Sequence, residues 1–379
     1  MASGDKKLTT YDVLAQKPAA ISHQSRTSRE IYRIQPLKDP RWDKLLQRHP
    51  DASLFHSTAW LKALAQTYGY EPIALTTTPP GQPLENGFVF CEVKSWLTGR
   101  RLVSLPFSDF CDPLVRGPED MHAFLTAIEV ESQRGYWRYI EIRPLGEFEV
   151  SSPLCHQSGA FTYHALNLEP SLDTLFRNLH KDSIQRKILR AKREGLRYEE
   201  SSTGANFDAF YRLLTITRRR HQVPPQPKSW FRHLMVCFGD DLQIRLAFKG
   251  DRPVAAMLTL RHKDTLVYKY GGSDIAFNNL GSMHLLYWES IQRAKDAGLQ
   301  VFDLGRSDAD QAGLIRFKSR WGATQSKLSY LRFAPSADPL HAFDPARTNW
   351  RTRLAKQVFG HTPVGVLPVL GEVLYKHIG

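Results

Sequence analysis

Apolar positions along this chain recur in two periods, and the order in which the periods alternate predicts the architecture. Trp60, Leu61, Leu64 and Ala65 fall on one side of a helix over 57–68, which Ser57 or Thr58 can cap. A shorter helix over 39–49 begins around a proline. Strand-like runs follow at 71–77, 87–93 and 101–105, with a polar turn at 81–86. A helix at 121–134 and strands at 139–143 and 161–168 complete this half. The second half opens with a long basic helical stretch, 172–195, readable as one helix or as two broken near Asp182. A strand at 197–201, a helix at 206–220, a Pro-rich loop at 223–228 and a helix at 229–237 come next. Apolar runs at 242–248, 253–261, 265–271 and 301–304 read as strands. The last is preceded by a helix, 282–297, that closes at Gly298, a suitable residue beyond a C-cap.

Twice, then, helices precede a meander of strands, a helix and a further strand. That order predicts an α/β (α+β) chain built by duplication. The reading divides it into a polar, disordered leader at 1–30, lobes at 31–169 and 170–335 hinged near Glu169 and Pro170, and a helical tail at 336–379. In the tail, Trp350, Leu354, Val358 and Phe359 sit at helical spacing beside Arg351, Arg353 and Lys356. An apolar segment after Pro363 runs through Val373 and Leu374, punctuated by Pro368 and Gly371. Two readings stand: a strap packed on the core, or a basic amphipathic helix at a membrane surface.

Composition narrows the chemistry. Of 379 residues, 42 % are hydrophobic, enough to fill two cores. The 51 Lys and Arg against 38 Asp and Glu leave a formal charge of +13, which draws polyanions such as tRNA, nucleotide phosphates or an anionic membrane. A basic but otherwise ordinary soluble protein would show the same surplus. The four cysteines, Cys91, Cys111, Cys155 and Cys237, form no C-x-x-C pair, so neither a disulfide framework nor a metal site is expected. There is no run of about 18 apolar residues and no secretory signal. A cytoplasmic protein follows, with membrane association through the tail as the alternative.

Three segments can carry chemistry. The first, 301–323, is a short strand that ends in Asp303, Gly305 and Arg306 and leads to Arg316, Phe317, Lys318, Arg320 and Trp321, cations close to aromatics. A turn followed by an edge strand with solvated charges is the plain alternative. The second is 269–286. Period-two alternation puts Tyr268 and Tyr270 on one face of a strand, and Gly271 and Gly272 permit close backbone approach. Asn278, Gly281, Ser282 and Met283 then enter a helix whose free amides suit an anion. Enzymes that take acyl-coenzyme A have Arg or Gln, Gly, and Gly or Ala at this spacing. Asn278 and Met283 depart from that pattern, which argues against coenzyme A. The third segment, 186–197, places Lys187, Arg190, Lys192 and Arg193 opposite a buried stripe of Ile188, Leu189, Ala191 and Leu196, and Arg218, Arg219, Arg220 and His221 follow.

FHSTAWLKAL at 55–64, LPFSDFCDPL at 105–114, SIQRKILRAKREGL at 183–196, and FDLGRS with LIRFKSRWGA resemble FemAB-related proteins, of which some go with bacterial exopolysaccharide and envelope gene sets. The resemblance spans about 31–335. It implies two tandem GNAT-like lobes, each a mixed, mostly antiparallel sheet flanked by helices. It also implies an N-acyltransferase with no tightly bound cofactor and no metal, whose acyl donor is a co-substrate, aminoacyl-tRNA or acyl-coenzyme A. The best studied members move an amino acid from aminoacyl-tRNA to an amine of a peptidoglycan precursor. A Phe-Lys pair lies beside the reacting ester there, and Phe317-Lys318 matches it. Lys318 would stabilise the oxyanion, and the Phe317 carbonyl would orient the amine. Tyr268 or Tyr270 matches a tyrosine of that site. Arg218, and more distantly Lys62, match substrate-binding cations.

The attacking amine must be neutral, and Asp303, Asp109 and Asp112 are candidates to take its proton. Arg306 would help bind substrate, with Asp109 and Asp112, and Arg316 and Arg320 would help bind the donor with Asn278, Gly281 and Ser282. The basic surplus and the poor coenzyme A turn favour aminoacyl-tRNA as donor, with an envelope precursor as acceptor. The alternatives are an acyl-coenzyme A N-acyltransferase on an amino sugar or lipid-linked glycan, and a non-catalytic module holding glycan or nucleic acid.

Overall fold

The computed structural model describes residues 29–146, 150–202, 204–335, 362–363 and 365–378, and these fall into two compact units. The expected leader and the tail helix around Trp350, Leu354, Val358 and Phe359 lie outside the described residues.

The first unit takes in 70–161, the segment up to Leu61 and the stretch from Ser326. Its strands are β1 (Tyr32–Ile34), β2 (Glu71–Thr76), β3 (Phe88–Ser95), β4 (Gly99–Val103) and β5 (Tyr139–Ile142), hydrogen-bonded in that order and followed by the strand Thr324–Phe333. All neighbours are antiparallel except β4 and β5. Helix α1 (Arg41–Arg48) buries Trp42, Leu45 and Leu46. Helix α2 (Thr58–Tyr68) starts at Ser57, whose hydroxyl accepts the Trp60 N–H at 3.2 Å, which decides between the two caps offered by the sequence. Helix α3 (Pro118–Gln133) opens with proline in its first turn and lays Phe124 and Ile128 on Phe88, Phe90, Leu102 and Ile140.

The second unit takes in 62–69, 162–325 and the described part of the tail. After β6 (Cys155–Asn167) come α4 (Leu172–Asn178), a π-helical turn at Lys181–Gln185 and α5 (Arg186–Arg193), so the basic stretch is broken near Asp182. Then follow β7 (Arg197–Glu200), α6 (Gly204–Arg220), α7 (Lys228–Phe238), β8 (Leu242–Lys249), β9 (Arg252–His262), β10 (Thr265–Ser273), α8 (Ser282–Asp296), β11 (Val301–Asp308), α9 (Ala312–Ser319) and β12 (Thr324–Phe333). The strand order is β6-β11-β10-β9-β8-β7, antiparallel from β7 to β10 and parallel between β10 and β11.

Helices cover both faces of the central strands. Every residue from Val254 to Leu260 is buried, so β9 reads as an unbroken run rather than as an alternation. On one face Ile184, Ile188, Leu286 and Ile291 pack with Phe302. On the other, α6 crosses β10 so closely that a Cβ at Gly272 would lie 2.6 Å from the Leu213 backbone. Leu189 departs from the predicted stripe. It is 55 % exposed, because the break before α5 turns the helix so that Ile184, Ile188 and Ala191 face inward.

The sequence reading placed neither α9 nor β12. The plain alternative, a turn followed by an edge strand, is corrected by α9, a helix of eight residues that holds Arg316, Phe317 and Lys318. The last helix, α10 (Leu367–Ile378), follows the apolar segment of the tail. Its Gly371 lies so close to the Pro225 carbonyl that a Cβ would collide with it, and the Tyr375 hydroxyl donates to the Pro224 carbonyl at 3.0 Å. This segment therefore packs as a strap, with Val366, Val369 and Val373 outward.

Candidate active site

The site is assembled where β11 breaks. Gly305 takes a φ of +69°, a left-handed conformation that favours glycine. Asp303, two residues earlier and 2 % exposed, accepts the Gly305 N–H on Oδ1 at 2.7 Å. Lys318, on the last turn of α9 and 2 % exposed, donates from Nζ to the carbonyls of Gly305 at 3.0 Å and Arg306 at 2.9 Å. The ammonium is thus inside the unit, on carbonyls that carry only partial negative charge. In so dry a setting a charge acts strongly on its neighbours.

One neighbour shows the effect. His164 on β6 is wholly buried, and its titration is pulled down to about 4, by burial first and then by the Lys318 charge. Its Nε2 lies 3.4 Å from the Ser319 hydroxyl, and its Nδ1 is buried with no hydrogen-bond partner. The imidazole is held neutral.

The end of α9 exposes a second feature. Arg320 N–H goes to the Arg316 carbonyl, Trp321 N–H to that of Lys318 and Gly322 N–H to that of Ser319. The three bonds step past the carbonyl of Phe317, as happens where a last turn tightens. The Phe317 ring packs edge-on against His284 and Tyr287, both at 5.4 Å between centroids, and Tyr287 stacks on Trp321 at 5.2 Å. Tyr268 joins this cluster at 5.3 Å from Tyr287. Burial raises the Tyr268 titration, against the nearby Tyr287 hydroxyl and the Arg218 charge, which lower it. The His284 imidazole is pulled down to about 4, by burial and then by the Lys187 charge. Lys318 and Asp303 thus meet at Gly305 with the Arg306 carbonyl, and Phe317 and Tyr268 share the aromatic cluster around Tyr287, where the Arg218 charge acts on Tyr268.

Tyr270 is not with them. Its pairing and that of Tyr268 reveal a bulge: Tyr268 opposes Thr259 and Tyr270 opposes Leu258, so Lys269 is the extra residue. Three positions thus span what two would span in a flat strand, and the tyrosines face opposite sides. This corrects the shared face predicted from alternation. The Tyr270 hydroxyl accepts from Trp230 Nε1 at 2.8 Å and Gln226 Nε2 at 3.1 Å, and its ring meets Phe231. It organises the α7 side of the sheet.

The predicted donor turn is corrected as well. Asn278 is exposed, but Gly281, at φ +83°, is backed by the Lys187 carbonyl of α5, so close that a Cβ would collide. Ser282 is 1 % exposed, and Lys187 Nζ donates to the Asn279 carbonyl at 3.2 Å. At Gly281 the entrance to α8, expected to cradle an anion, packs against α5, while Asn278 and Asn279 stay exposed. Arg316 is exposed on α9 and Arg320 is partly exposed, its carbonyl taking the His180 N–H at 2.9 Å. Lys62 is exposed, and its charge acts on Cys237 at the end of α7.

Asp109 and Asp112 belong to the first unit. The Asp109 carbonyl accepts from the Tyr330 hydroxyl at 2.7 Å. Asp112 accepts the Leu145 N–H at 2.8 Å, and burial raises its titration to about 7. Among the described residues no cluster of His, Cys, Asp and Glu could hold a metal ion, and no helix is long and apolar enough to cross a membrane.

Residues 179–319, which contain this site, match the acetyltransferase (GNAT) domain family. A crystal structure of FemX aligns at a TM-score of 0.60 and 15 % identity, over 79 % of this chain and 96 % of that one. The C-terminal domain of a putative lysylphosphatidylglycerol synthetase from Agrobacterium fabrum aligns at 0.51 and 13 %, over 85 % and 96 % of the two chains. No curated protein matches by sequence. Residues 179–319 thus carry a GNAT-type acetyltransferase domain, and the chain shares the fold of FemX.

Proposed function

We propose that the protein is an N-acyltransferase that moves an activated aminoacyl group, from aminoacyl-tRNA, onto an amine of a cell-envelope precursor. The observation that carries this reading is the Lys318 ammonium, buried and seated on two carbonyls, in the residue that follows Phe317. As the amine attacks the ester carbonyl, negative charge grows on its oxygen. A fixed cation there contributes about 3–4 kcal/mol, by analogy with the loss of one oxyanion-hole donor. The Phe317 carbonyl accepts an N–H of the incoming amine and aims its lone pair. Tyr268 and Arg218 hold substrate beside the pair, with Arg306, Arg316 and Arg320 as further cationic contacts. The ester C–O bond then breaks and releases the tRNA hydroxyl, which takes up a proton, while the amine's proton leaves to solvent, to the substrate or to a carboxylate, for which Asp303 is the candidate in this unit. Asp303 already serves the Gly305 N–H.

The packing of α5 against Gly281 at the entrance to α8 favours aminoacyl-tRNA over a pyrophosphate-bearing donor, and the net charge of +13 suits tRNA. Lysylphosphatidylglycerol, in the name of one structure of like fold, is an aminoacylated phospholipid, which agrees with an envelope acceptor. The outward valines of α10 support contact of the tail with a membrane surface.

The match to the acetyltransferase domain favours a second reading, an acyl-coenzyme A N-acyltransferase on an amino sugar or lipid-linked glycan. Single-turnover assays with charged tRNA and with acetyl-coenzyme A separate the two. Transfer from charged tRNA supports the first. Turnover of acetyl-coenzyme A without affinity for tRNA rejects it.

A further inference from the structure

The β3–β4 turn of the first unit is apolar at its tip and cationic around it. It presents Trp96, 84 % exposed, and Leu97, 53 % exposed. Keeping such side chains in water forgoes about 1.5–3 kcal/mol each of burial. The turn is held firmly: the Ser95 hydroxyl accepts the N–H of Leu97 at 3.1 Å and of Thr98 at 3.0 Å, and Gly99 adopts a φ of +78°. Arg138 braces it by donating to the Thr98 carbonyl at 3.2 Å.

The surroundings have the same character. Tyr136, 52 % exposed, carries the Arg100 guanidinium 3.7 Å above its ring. Val130 is 47 % exposed near the end of α3, and Arg134 is exposed just after that helix. Arg138 meets the turn, Lys94 and Arg100 stand opposite each other on the strands beside it, and Arg134 follows α3, against the acids Glu71 and Glu131, paired with Lys94 and Arg134. A third acid, Glu92, is only 6 % exposed, beneath Lys94 and Arg100. The outward balance is cationic. An apolar groove of about 360 Å³, lined by Leu102, Val130, Arg134 and Trp137, lies in the same unit.

An exposed Trp-Leu tip, a tyrosine beside it and a collar of Arg and Lys match the interface of an anionic bilayer. Tryptophan and tyrosine partition to the headgroup level, and each nearby cation adds about 1 kcal/mol of attraction. A protein partner would have to meet large apolar groups and cations side by side on one narrow turn.

We propose that the β3–β4 turn is a membrane-docking tip, which seats Trp96 and Leu97 in the surface of an anionic bilayer. This is independent of the donor and of the Lys318 chemistry.

The test is co-sedimentation of the full chain with vesicles of phosphatidylcholine alone or mixed with phosphatidylglycerol. Wild type binds the mixed vesicles, and added salt weakens binding. Trp96→Ser with Leu97→Ser lowers the partition coefficient about tenfold or more, with an unchanged melting temperature. Arg138→Gln alone lowers it about fivefold. Failure of wild type to bind overturns the proposal. So does wild-type binding by the double variant, as when the tail alone makes the contact. So does a dimer that the double variant disperses, with no vesicle binding, since the tip then meets a second copy.

Discussion

Lys318 and Asp303 hold the same residue from two sides: the lysine ammonium takes the Gly305 carbonyl at 3.0 Å, and the aspartate takes the Gly305 N–H at 2.7 Å. Gly305 is where β11 adopts a positive φ. The proposed oxyanion cation and the break in the strand are therefore one construction, and disturbing either end moves the other.

Lys318→Met removes the charge and keeps much of the volume. The expected loss in kcat is on the order of 10²–10³, with a smaller change in KM, because the interaction strengthens as the oxyanion forms. Two buried carbonyls lose their donor, so stability falls by about 1–3 kcal/mol. Steady-state kinetics and urea unfolding read the two effects. A change in KM alone would remove Lys318 from the reacting centre.

Asp303→Ala leaves the Gly305 N–H buried without its acceptor, at a cost of about 1–3 kcal/mol. Gly305→Ala forces a Cβ into the left-handed region, at about 1–2 kcal/mol. Because both act on one peptide, the double variant should fall short of the sum. If Asp303 were instead the base, its Asn variant would lose most turnover at full stability.

His164 makes the Lys318 charge visible in solution. Its folded titration lies at about 4, below the ordinary value of 6.5. Above pH 6.5 both the folded and unfolded states are neutral there, and the group adds no pH dependence. As pH falls from 6.5 to 4 the unfolded chain binds the proton first, and stability declines on the order of 2 kcal/mol. Lys318→Met should raise the His164 titration and flatten that decline, as followed by NMR of the imidazole and by unfolding across pH.

Much of this could be read from residue order, and the failures have physical causes. The helix at the start of α8 and the closing Gly298 were legible because their apolar spacing is regular. Phe317 and Lys318 stand in a short, recognisable motif, but α9, which carries them, has no periodic signal. Its one buried residue is Lys318, so the helix has no apolar stripe to detect. The bulge at Lys269 is invisible to an alternation rule that assumes flat pairing. His164 and Tyr287 reach the site only through folding, and isolated histidines and tyrosines carry no signal of that.

Asp112 predicts the opposite pH dependence from His164. Its titration is raised to about 7 from 3.8, by burial first. Between those values the folded state holds a proton that the unfolded state has lost, so stability drops as pH rises toward 7. Asp112→Asn keeps an acceptor for the Leu145 N–H without the charge. It should therefore stabilise the protein at pH 8 by about 2 kcal/mol, after discounting for partial exposure, and change nothing at pH 3. Urea unfolding of wild type and variant at pH 3 and pH 8 checks it.

Tyr268 can be displaced from underneath. A Cβ at Gly271 would run into its hydroxyl and lie 3.2 Å from the Cε2 and Cζ ring atoms. Gly271→Ala should push the ring toward Tyr287 and cost about 1–3 kcal/mol. Tyr268→Phe removes the nearest atom, so adding it to Gly271→Ala should recover part of that stability. If Tyr268 binds substrate, Gly271→Ala raises KM, and the double variant regains stability without regaining KM. Recovery of both together would make Tyr268 a packing residue only.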